Sequence, residues 1–391
     1  MTANTYPQQS RILLLSLRQA ENFIFNSCLY EFEDVVCQVD AVELVLAPPQ
    51  DQLLTKLITK TTKIITRHTK LGTFINPYSQ SITLEQEYDL FFVIVDFPWN
   101  FYTLKFVKQW QQKCHKAVCY ISETWHDEIN KWQFALEFFS DFDHIFLGLN
   151  HSLEAVANIT NCPCSYLPYA VDTLKFYPHI SYFQRSIDLC NFGRRSPITH
   201  QALLNLAEKQ DFFYWYEPLS KTKELRLNHF TEHRTLIANL LKNSRYFLAN
   251  YAKIDLTKRT KKHQEIPSRF FEGAAAGTVM LGCPPATQIF KQYFDWSNAI
   301  IPVPFDAACI QDTIAQLDSE PELLAKISAD NVANSLLKHD IVYRWQEILT
   351  KVGLKPTPAM LTRQAYLQKL AHGIKTDVVN PSLGQKKMIF N

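Results

Sequence analysis

Between Ser122 and Glu128 the sequence gathers Glu123, His126, Asp127 and Glu128 behind an apolar run. A carboxylate or imidazole placed there could take a proton from an acceptor hydroxyl, with Asp127 the first choice and His126 the second. The same residues would also serve a helix N-terminus, with Thr124 or Asp127 as the cap and Glu128 in the first turn. A second group is Gly193-Arg194-Arg195. Glycine allows a tight turn and close approach of a ligand, and an arginine beside it offers a planar fork to a phosphate. A solvated basic turn has the same composition. The third group lies in Gln264 to Gly282, QEIPSRFFEGAAAGTVMLG. Pro267 and Ser268 can open a helix whose unpaired N–H groups favour a phosphate. Arg269 falls in its first turn and Glu272 follows three residues later, near the same face. A glutamate there could accept both hydroxyls of a ribose. The small residues Ala274, Ala275, Ala276 and Gly277 would let a ligand, or only a neighbouring helix, come close.

Several chemistries lack their residues. There is no GxxxxGK[ST] loop and no GxGxxG, which removes most support for a P-loop ATPase, a kinase or an NAD enzyme. No HExxH or closely spaced His/Cys set occurs, so no metal site is expected. Cys162-Pro163-Cys164 is too tight for a metal knuckle, and the nine cysteines read as free thiols of a reducing compartment. His68, His233 and His263 stand alone and read as surface or structural residues. With 40 Lys and Arg against 38 Asp and Glu, the net charge is only +2. That balance argues against a purely electrostatic polyanion binder and gives the expectation of no nucleic-acid partner. At 47% hydrophobic and 13% aromatic residues, a disordered chain is excluded. No signal peptide or transmembrane segment is visible, which predicts a soluble cytoplasmic protein, with peripheral contact at the inner membrane face left open. Oligomeric state stays open.

These residues must be positioned by something, and the apolar runs say what. Strands are predicted at 11–17, 41–47, 90–97, 116–122, 144–149 and 165–167, as continuous apolar runs suited to a sheet covered on both faces. Helices are expected at 51–66, 129–139 and 151–159. The pattern breaks over 168–186 and then restarts. Strands follow at 187–192, 212–216, 245–249, 278–282 and 299–303, with helices at 198–209, 232–243, 267–276, 307–317, 321–350 and 358–372. The rhythm is α/β with two mainly parallel sheets. It divides the chain into a first Rossmann-like domain over 1–178, a second over 179–352, and a helix with a polar tail over 353–391 that could pack back on the first domain. Parallel sheets bind ligands beyond their carboxyl ends. That rule adds Ser16, Arg18, Asp96 to Asn100, Leu149 to His151, Glu217, Asn250 and Tyr251 to the residues of interest.

With these residues in place, the chain resembles a GT-B glycosyltransferase of the group-1 type, closest to the spore-protein-like CgeB-type branch. Four stretches carry the resemblance: Leu167-Pro168-Tyr169-Ala170-Val171-Asp172-Thr173 with Phe176-Tyr177-Pro178; Phe192-Gly193-Arg194-Arg195; Arg269-Phe270-Phe271-Glu272-Gly273-Ala274-Ala275-Ala276-Gly277; and His339 to Leu349. They span roughly residues 165 to 350. The resemblance implies a GT-B fold with two Rossmann-like parallel-sheet domains facing across a cleft. It implies a nucleoside-diphosphate sugar, of the UDP or GDP type, as donor, and no tightly bound cofactor. Glu272 would bind the ribose, Arg195 and Arg194 the diphosphate, with Arg269 assisting. Gly193 and Gly277 would shape the pocket, and Asn250 or Tyr251 would frame the base. Arg18, Trp99 and the 124–128 cluster would face a sugar, lipid, protein or metabolite acceptor.

One departure stands out. Many relatives carry two glutamates with seven residues between them; counting back from Glu272 reaches Gln264, and Glu265 lies one position off. Glu265 is a substitute candidate for that carboxylate. The alternatives to a hexosyl transferase are a non-catalytic nucleotide-sugar or glycan-binding protein, a nucleotide-sugar epimerase on a related architecture, and a structural scaffold.

Overall fold

The computed structural model describes residues 9–49, 53–217 and 229–379, with side chains to 374. The start of the helix expected at 51–66 and the polar end of the chain lie outside the described residues. Thirteen strands are present among them: β1 Ile12–Ser16, β2 Val42–Leu46, β3 Ile82–Thr83, β4 Tyr88–Val95, β5 Val107–Lys108, β6 Cys114–Ile121, β7 His144–Leu147, β8 Cys164–Tyr166, β9 Ile187–Asn191, β10 Tyr214–Tyr216, β11 Ser244–Leu248, β12 Val279–Gly282 and β13 Ile301–Pro302. They form a six-stranded sheet in the order β2-β1-β4-β6-β7-β8 and a five-stranded sheet in the order β10-β9-β11-β12-β13, with β3 and β5 as a small separate pair. Every pairing is parallel. Two parallel-sheet, Rossmann-like domains of this kind make the GT-B architecture expected from the sequence.

The apolar runs work as the sheet's two-residue period requires. In β1 and β4, Leu13, Leu15, Phe91 and Val93 point to one core, while Ile12, Leu14, Leu90 and Phe92 point to the other. The second of these cores is completed from the far end of the chain. Helices Ile341–Lys351 and Pro358–Val379 supply Ile341, Trp345, Ile348, Met360 and Leu367 to it. Trp345 packs its ring 5.2 Å from Phe92 and donates its indole N–H to Asp40. The chain therefore crosses between the domains twice.

Two predicted helices divide. The one expected at 321–350 becomes Pro321–Lys338 and Ile341–Lys351. The break falls at Asp340, which caps the second piece by accepting from Val342 N–H and also bridges to Val171. The one expected at 129–139 becomes His126–Lys131 and Gln133–Glu137, with Trp132 in a non-helical conformation between them. Helix Ser27–Val39 has no counterpart in the sequence reading, because Glu31 and Glu33 interrupt its apolar face and both are fully buried.

The two crossings are tied together by charge. Arg363 donates from Nε and Nη2 to the carboxylate of Asp340 and from Nη2 to Asp172 at 2.7 Å. Asp340 also accepts from the N–H and hydroxyl of Thr173. Asp340 has no exposed surface, so removing its cation leaves a buried charge unpaired. Arg363→Ala is expected to lower unfolding stability by about 3–5 kcal/mol, read as a reduced urea midpoint.

Candidate functional site

The carboxyl ends of the two sheets face one cleft of about 710 Å³. That volume suits a ligand of cofactor size. The first domain lines it with Glu21, Asn26, Lys63, Asp96, Phe97, Trp99 and Glu123, and the second with Arg194, Lys253, Arg259, Pro267, Ser268 and Arg269.

On the second domain, Asn191 ends β9 and the loop Phe192-Gly193-Arg194-Arg195 follows. Gly193 has φ +76, and a Cβ built there would lie 1.9 Å from Nη2 of Arg269. Glycine is required twice over, by the left-handed backbone and by the guanidinium that lies against it. Arg269 is half-buried in the first turn of helix Ser268–Ala275, with its guanidinium 6.0 Å from the centre of the Phe192 ring. No carboxylate forms an ion pair with it among the described residues. Burial pushes its pKa down, the nearby Glu272 partly opposes this, and Arg194 adds to the lowering. A desolvated cation beside helix N–H groups favours an anion. Arg194 is exposed and pairs with Asp255 at 3.0 Å. Arg195 turns away from the cleft lining: its guanidinium lies 5.0 Å from the centre of the Tyr216 ring, and its Nη1 is buried with no hydrogen-bond partner among the described residues.

Glu272 sits one turn deeper than Arg269 and is buried, outside the cleft lining. Its Oε1 accepts from Nη1 of Arg234 at 2.6 Å, while Nη2 of the same guanidinium reaches Oε2 of Glu31 in the first domain at 2.9 Å. Glu31 also accepts from Lys175 at 2.9 Å and from the N–H of Asp172. Burial alone would raise the Glu31 carboxyl, but Arg234 and Lys175 more than offset it and hold its pKa below the ordinary value. Glu31, Arg234 and Glu272 thus form a buried charged triad that joins the two domains beneath the cleft. The sequence reading missed Arg234 and Glu31. A signal was present: Arg234 lies on the buried face of its helix with Ile237 and Leu241, and a charge in such a stripe needs a partner.

The 122–128 cluster and Glu265 make contacts between domains. Glu123 pairs with Lys253 at 2.6 Å, Glu128 with Arg259 at 3.3 Å and Asp127 with Lys261 at 3.7 Å. Asp127 is half exposed, and neither it nor His126 lines the cleft. Glu265 accepts from the N–H groups of Asn150 and His151 and pairs with the His151 ring at 2.6 Å. With Gln264 it lines a separate cavity of about 100 Å³ beside the main cleft. Asn250 accepts from the N–H of Cys283, and Tyr251 donates its own N–H to the carbonyl of Cys283; both hold the loops after β11 and β12 together. Gly277 has φ +65 at the end of helix Ser268–Ala275, where a Cβ would meet Val332 at 2.6 Å. It terminates the helix and lies away from the cleft lining.

On the first domain, Asp96 follows β4 and is buried at the cleft wall. It accepts from the Asn26 amide at 3.2 Å, from the N–H of Phe97 at 2.9 Å and from the Asn100 amide. Burial, reinforced by the neighbouring Glu21, pushes its pKa up to about 7 against those hydrogen bonds and Lys63. Beside it stand Phe25, Phe97 and Trp99, the last two stacked with centroids 4.0 Å apart. Arg18 is engaged elsewhere, by Glu33 at 2.8 Å and Asp34 at 2.9 Å. Among the described residues no group of three or more His, Cys, Asp and Glu could hold a metal ion.

Comparison with known proteins fits this geometry. A family model described as glycosyl transferase-like matches residues 215–350. An α-glucosyltransferase solved with UDP and a 13-mer DNA containing an HMU base superposes with a TM-score of 0.55 at 12% identity, over 88% of this chain and 100% of that one. The same kind of enzyme with UDP-glucose and DNA containing an abasic site gives 0.51 at 12% identity, over 88% and 100%. The N-terminal domain of Candida albicans trehalose-6-phosphate phosphatase gives 0.50 at 8% identity, over 88% and 97%. No curated protein sequence matches the chain. At such identities the likeness is one of fold. It also corrects the exclusion of nucleic acid drawn from net charge, because proteins of this fold have been solved on DNA. Net charge averages the whole surface, whereas a polyanion needs only one basic face.

The triad makes a stability prediction. Arg234→Met strands two buried carboxylates and should cost about 3–5 kcal/mol of unfolding free energy, with part recovered by adding Glu31→Gln and Glu272→Gln. In the wild type the Glu31 contribution is present in full above the ordinary glutamate pKa of about 4.3 and is lost as pH falls through its depressed folded value. Urea titrations of the three proteins across acidic pH read both effects.

Proposed function

We propose that this chain is a glycosyltransferase that moves a sugar from a nucleoside-diphosphate donor to a hydroxyl acceptor. The observation that carries the reading is Arg269: a half-buried guanidinium with no carboxylate partner among the described residues, set in the first turn of helix Ser268–Ala275 and opening on the cleft. A diphosphate supplies the missing negative charge. Arg194 and Lys253 line the same wall and complete a cationic mouth for the leaving group. As the bond between the sugar carbon and the diphosphate oxygen breaks, the charge that develops on that oxygen meets donors already in place. Glu272, expected from the sequence to bind the ribose, is instead sealed outside the cleft lining and held by Arg234, so it stands beneath the donor wall and not in it. The glycosyl transferase-like match over 215–350 supports a donor on the second domain, and the UDP complexes of the same fold support a nucleoside diphosphate. The finer kinship with the spore-protein-like branch rests on the quoted motifs of residues 165–350.

Across the cleft, Asp96 takes the role that the sequence reading gave to Asp127. It lines the cavity, whereas Asp127 is half exposed and paired with Lys261. Its raised pKa keeps a carboxylate basic enough to accept the acceptor hydroxyl proton near neutral pH. Phe97 and Trp99 offer flat apolar faces on which a sugar ring can stack. The new bond forms between the acceptor oxygen and the sugar carbon, the proton goes to Asp96, and the nucleoside diphosphate departs along Arg269.

A second reading, a binder without catalysis, draws on Gln264. It holds the position where relatives carry a glutamate, and its Oε1 accepts from the N–H of Ala286. Product analysis after incubation of UDP- and GDP-sugars with candidate acceptors separates the two. Transfer or donor hydrolysis supports the enzyme, and tight donor binding with no turnover supports the binder. A change of sugar stereochemistry without transfer would point to an epimerase.

Two variants test the assignments. Arg269→Ala is expected to raise the calorimetric Kd for the preferred nucleoside diphosphate at least about tenfold, the scale of one lost hydrogen bond to a charged group. An unchanged Kd removes Arg269 from the donor site. Wild-type transfer should rise with pH as Asp96 loses its proton and level off above its pKa of about 7. Asp96→Asn should lower kcat by about 10²–10⁴ and flatten that rise while leaving donor Kd within a few-fold.

A further inference from the structure

Helix Leu53–His68 is built inside out. Its buried residues are Thr59, Thr62 and Thr66, which lie toward the domain, whereas Leu53, Leu54, Leu57 and Ile64 face outward. Leu53 is 87% exposed and Leu57 62%. The apolar surface continues past the helix to Leu71 and to Phe74, itself 73% exposed. At 100° per residue, Leu53, Leu57 and Ile64 fall on one narrow stripe, and Lys56, Lys60, Lys63 and Arg67 fall together along its flank. From Leu53 to Ile75 the sequence has no acidic residue. Acids reach only part of the basic flank: Glu21 approaches Lys63 at 4.0 Å, and Glu137 approaches Lys70 in the following turn at 3.5 Å. Arg67 lies over the Trp132 ring. Lys56 and Lys60 are exposed and form no ion pair among the described residues.

We propose that this helix is a docking surface for an anionic lipid membrane, lying in the plane of the interface with Leu53, Leu57 and Ile64 among the acyl chains and Lys56 and Lys60 on the headgroup phosphates. An exposed leucine stripe alone would fit several partners. Charge complementarity selects this one, because a band of cations beside a narrow apolar stripe matches a bilayer whose surface is negative and whose interior is apolar. The attachment is peripheral, since no helix among the described residues is long and apolar enough to cross a membrane. Lys63, on the flank of the same helix, lines the main cleft, so the docked face lies beside the cleft mouth. The proposal stands independently of the glycosyltransferase reading, because its test contains no donor.

The test is co-sedimentation of the full chain with vesicles of phosphatidylcholine containing phosphatidylglycerol, against vesicles of phosphatidylcholine alone. Wild type should bind the anionic vesicles and lose most of that binding at high salt. Leu57→Gln with Ile64→Gln should lower the partition coefficient at least about tenfold, since the bilayer takes up buried apolar groups. Lys56→Glu with Lys60→Glu should do the same through charge, each cation near the surface being worth about a fivefold change. All four positions are on the exposed or outward side of the helix, and unchanged thermal midpoints would show that the variants fold. Absence of vesicle binding by the wild type overturns the proposal. So does binding to a duplex oligonucleotide that the lysine changes weaken and the apolar changes leave intact, if vesicle binding does not follow both pairs. Self-association in sedimentation velocity that Leu57→Gln abolishes, without vesicle binding, assigns the face to a second copy and also overturns it.

Discussion

The bond between Arg234 and two carboxylates governs this molecule. Glu31 belongs to a helix of the first domain, Glu272 to the helix that lines the candidate donor site, and one guanidinium holds both. All three side chains are nearly sealed from solvent. A charge in such a place is tolerable only while paired, because no water is present to replace a lost partner. The pairing therefore fixes more than a contact. It sets the depth of helix Ser268–Ala275 against the first domain and, one turn above, the position of Arg269 at the cleft. The Arg234 guanidinium also lies over the Phe176 ring, so the strap between the domains is held by the same group.

Above this buried layer the contacts between domains change character. Asp127 with Lys261 and Glu128 with Arg259 have substantial exposure on at least one side, while Glu123 with Lys253 is more enclosed. Exposed pairs are individually worth about 0–1 kcal/mol and are screened by salt. The same edge also carries the enclosed pair of Glu265 with His151, so exposed and buried contacts are mixed there. The side held by the triad and by Arg363 with Asp340 and Asp172 cannot open without stranding charge.

Much of the fold was legible because parallel strands buried on both faces write themselves as unbroken apolar runs. Ile12–Ser16 and Tyr88–Val95 have no alternative use for their leucines, valines and phenylalanines. What escaped was helix Ser27–Val39, whose Glu31 and Glu33 read as solvent residues and are the reverse. The split at Asp340 escaped too, because a cap in the middle of a long helical pattern depends on a bridge to Val171 far away in sequence. At the site, the left-handed turn of Gly193 was recoverable from residue type, and Arg269 does line the cleft. The 122–128 acids were recognised as special but assigned to chemistry, when their partners are the cations Lys253, Arg259 and Lys261 on the opposite domain. Residue type shows that a carboxylate is there. Only the tertiary neighbour shows whether its charge is already neutralised.

That distinction also explains why Asp96 and Asp127 differ as candidate bases. Asp127 is half exposed and its charge is already paired with Lys261. Asp96 is enclosed at the end of β4, with the like charge of Glu21 acting on it. Both influences make the anion harder to form and the proton easier to accept. Asn26, Asn100 and the Phe97 N–H meanwhile hold the carboxyl group in one orientation toward the cleft. The opposite wall has the complementary problem solved in the opposite way: Arg269 keeps a positive charge in a desolvated place with no carboxylate paired to it among the described residues. One wall is short of a proton acceptor's usual hydration and the other short of an anion. A reaction that delivers a proton to the first and a departing diphosphate to the second relieves both at once.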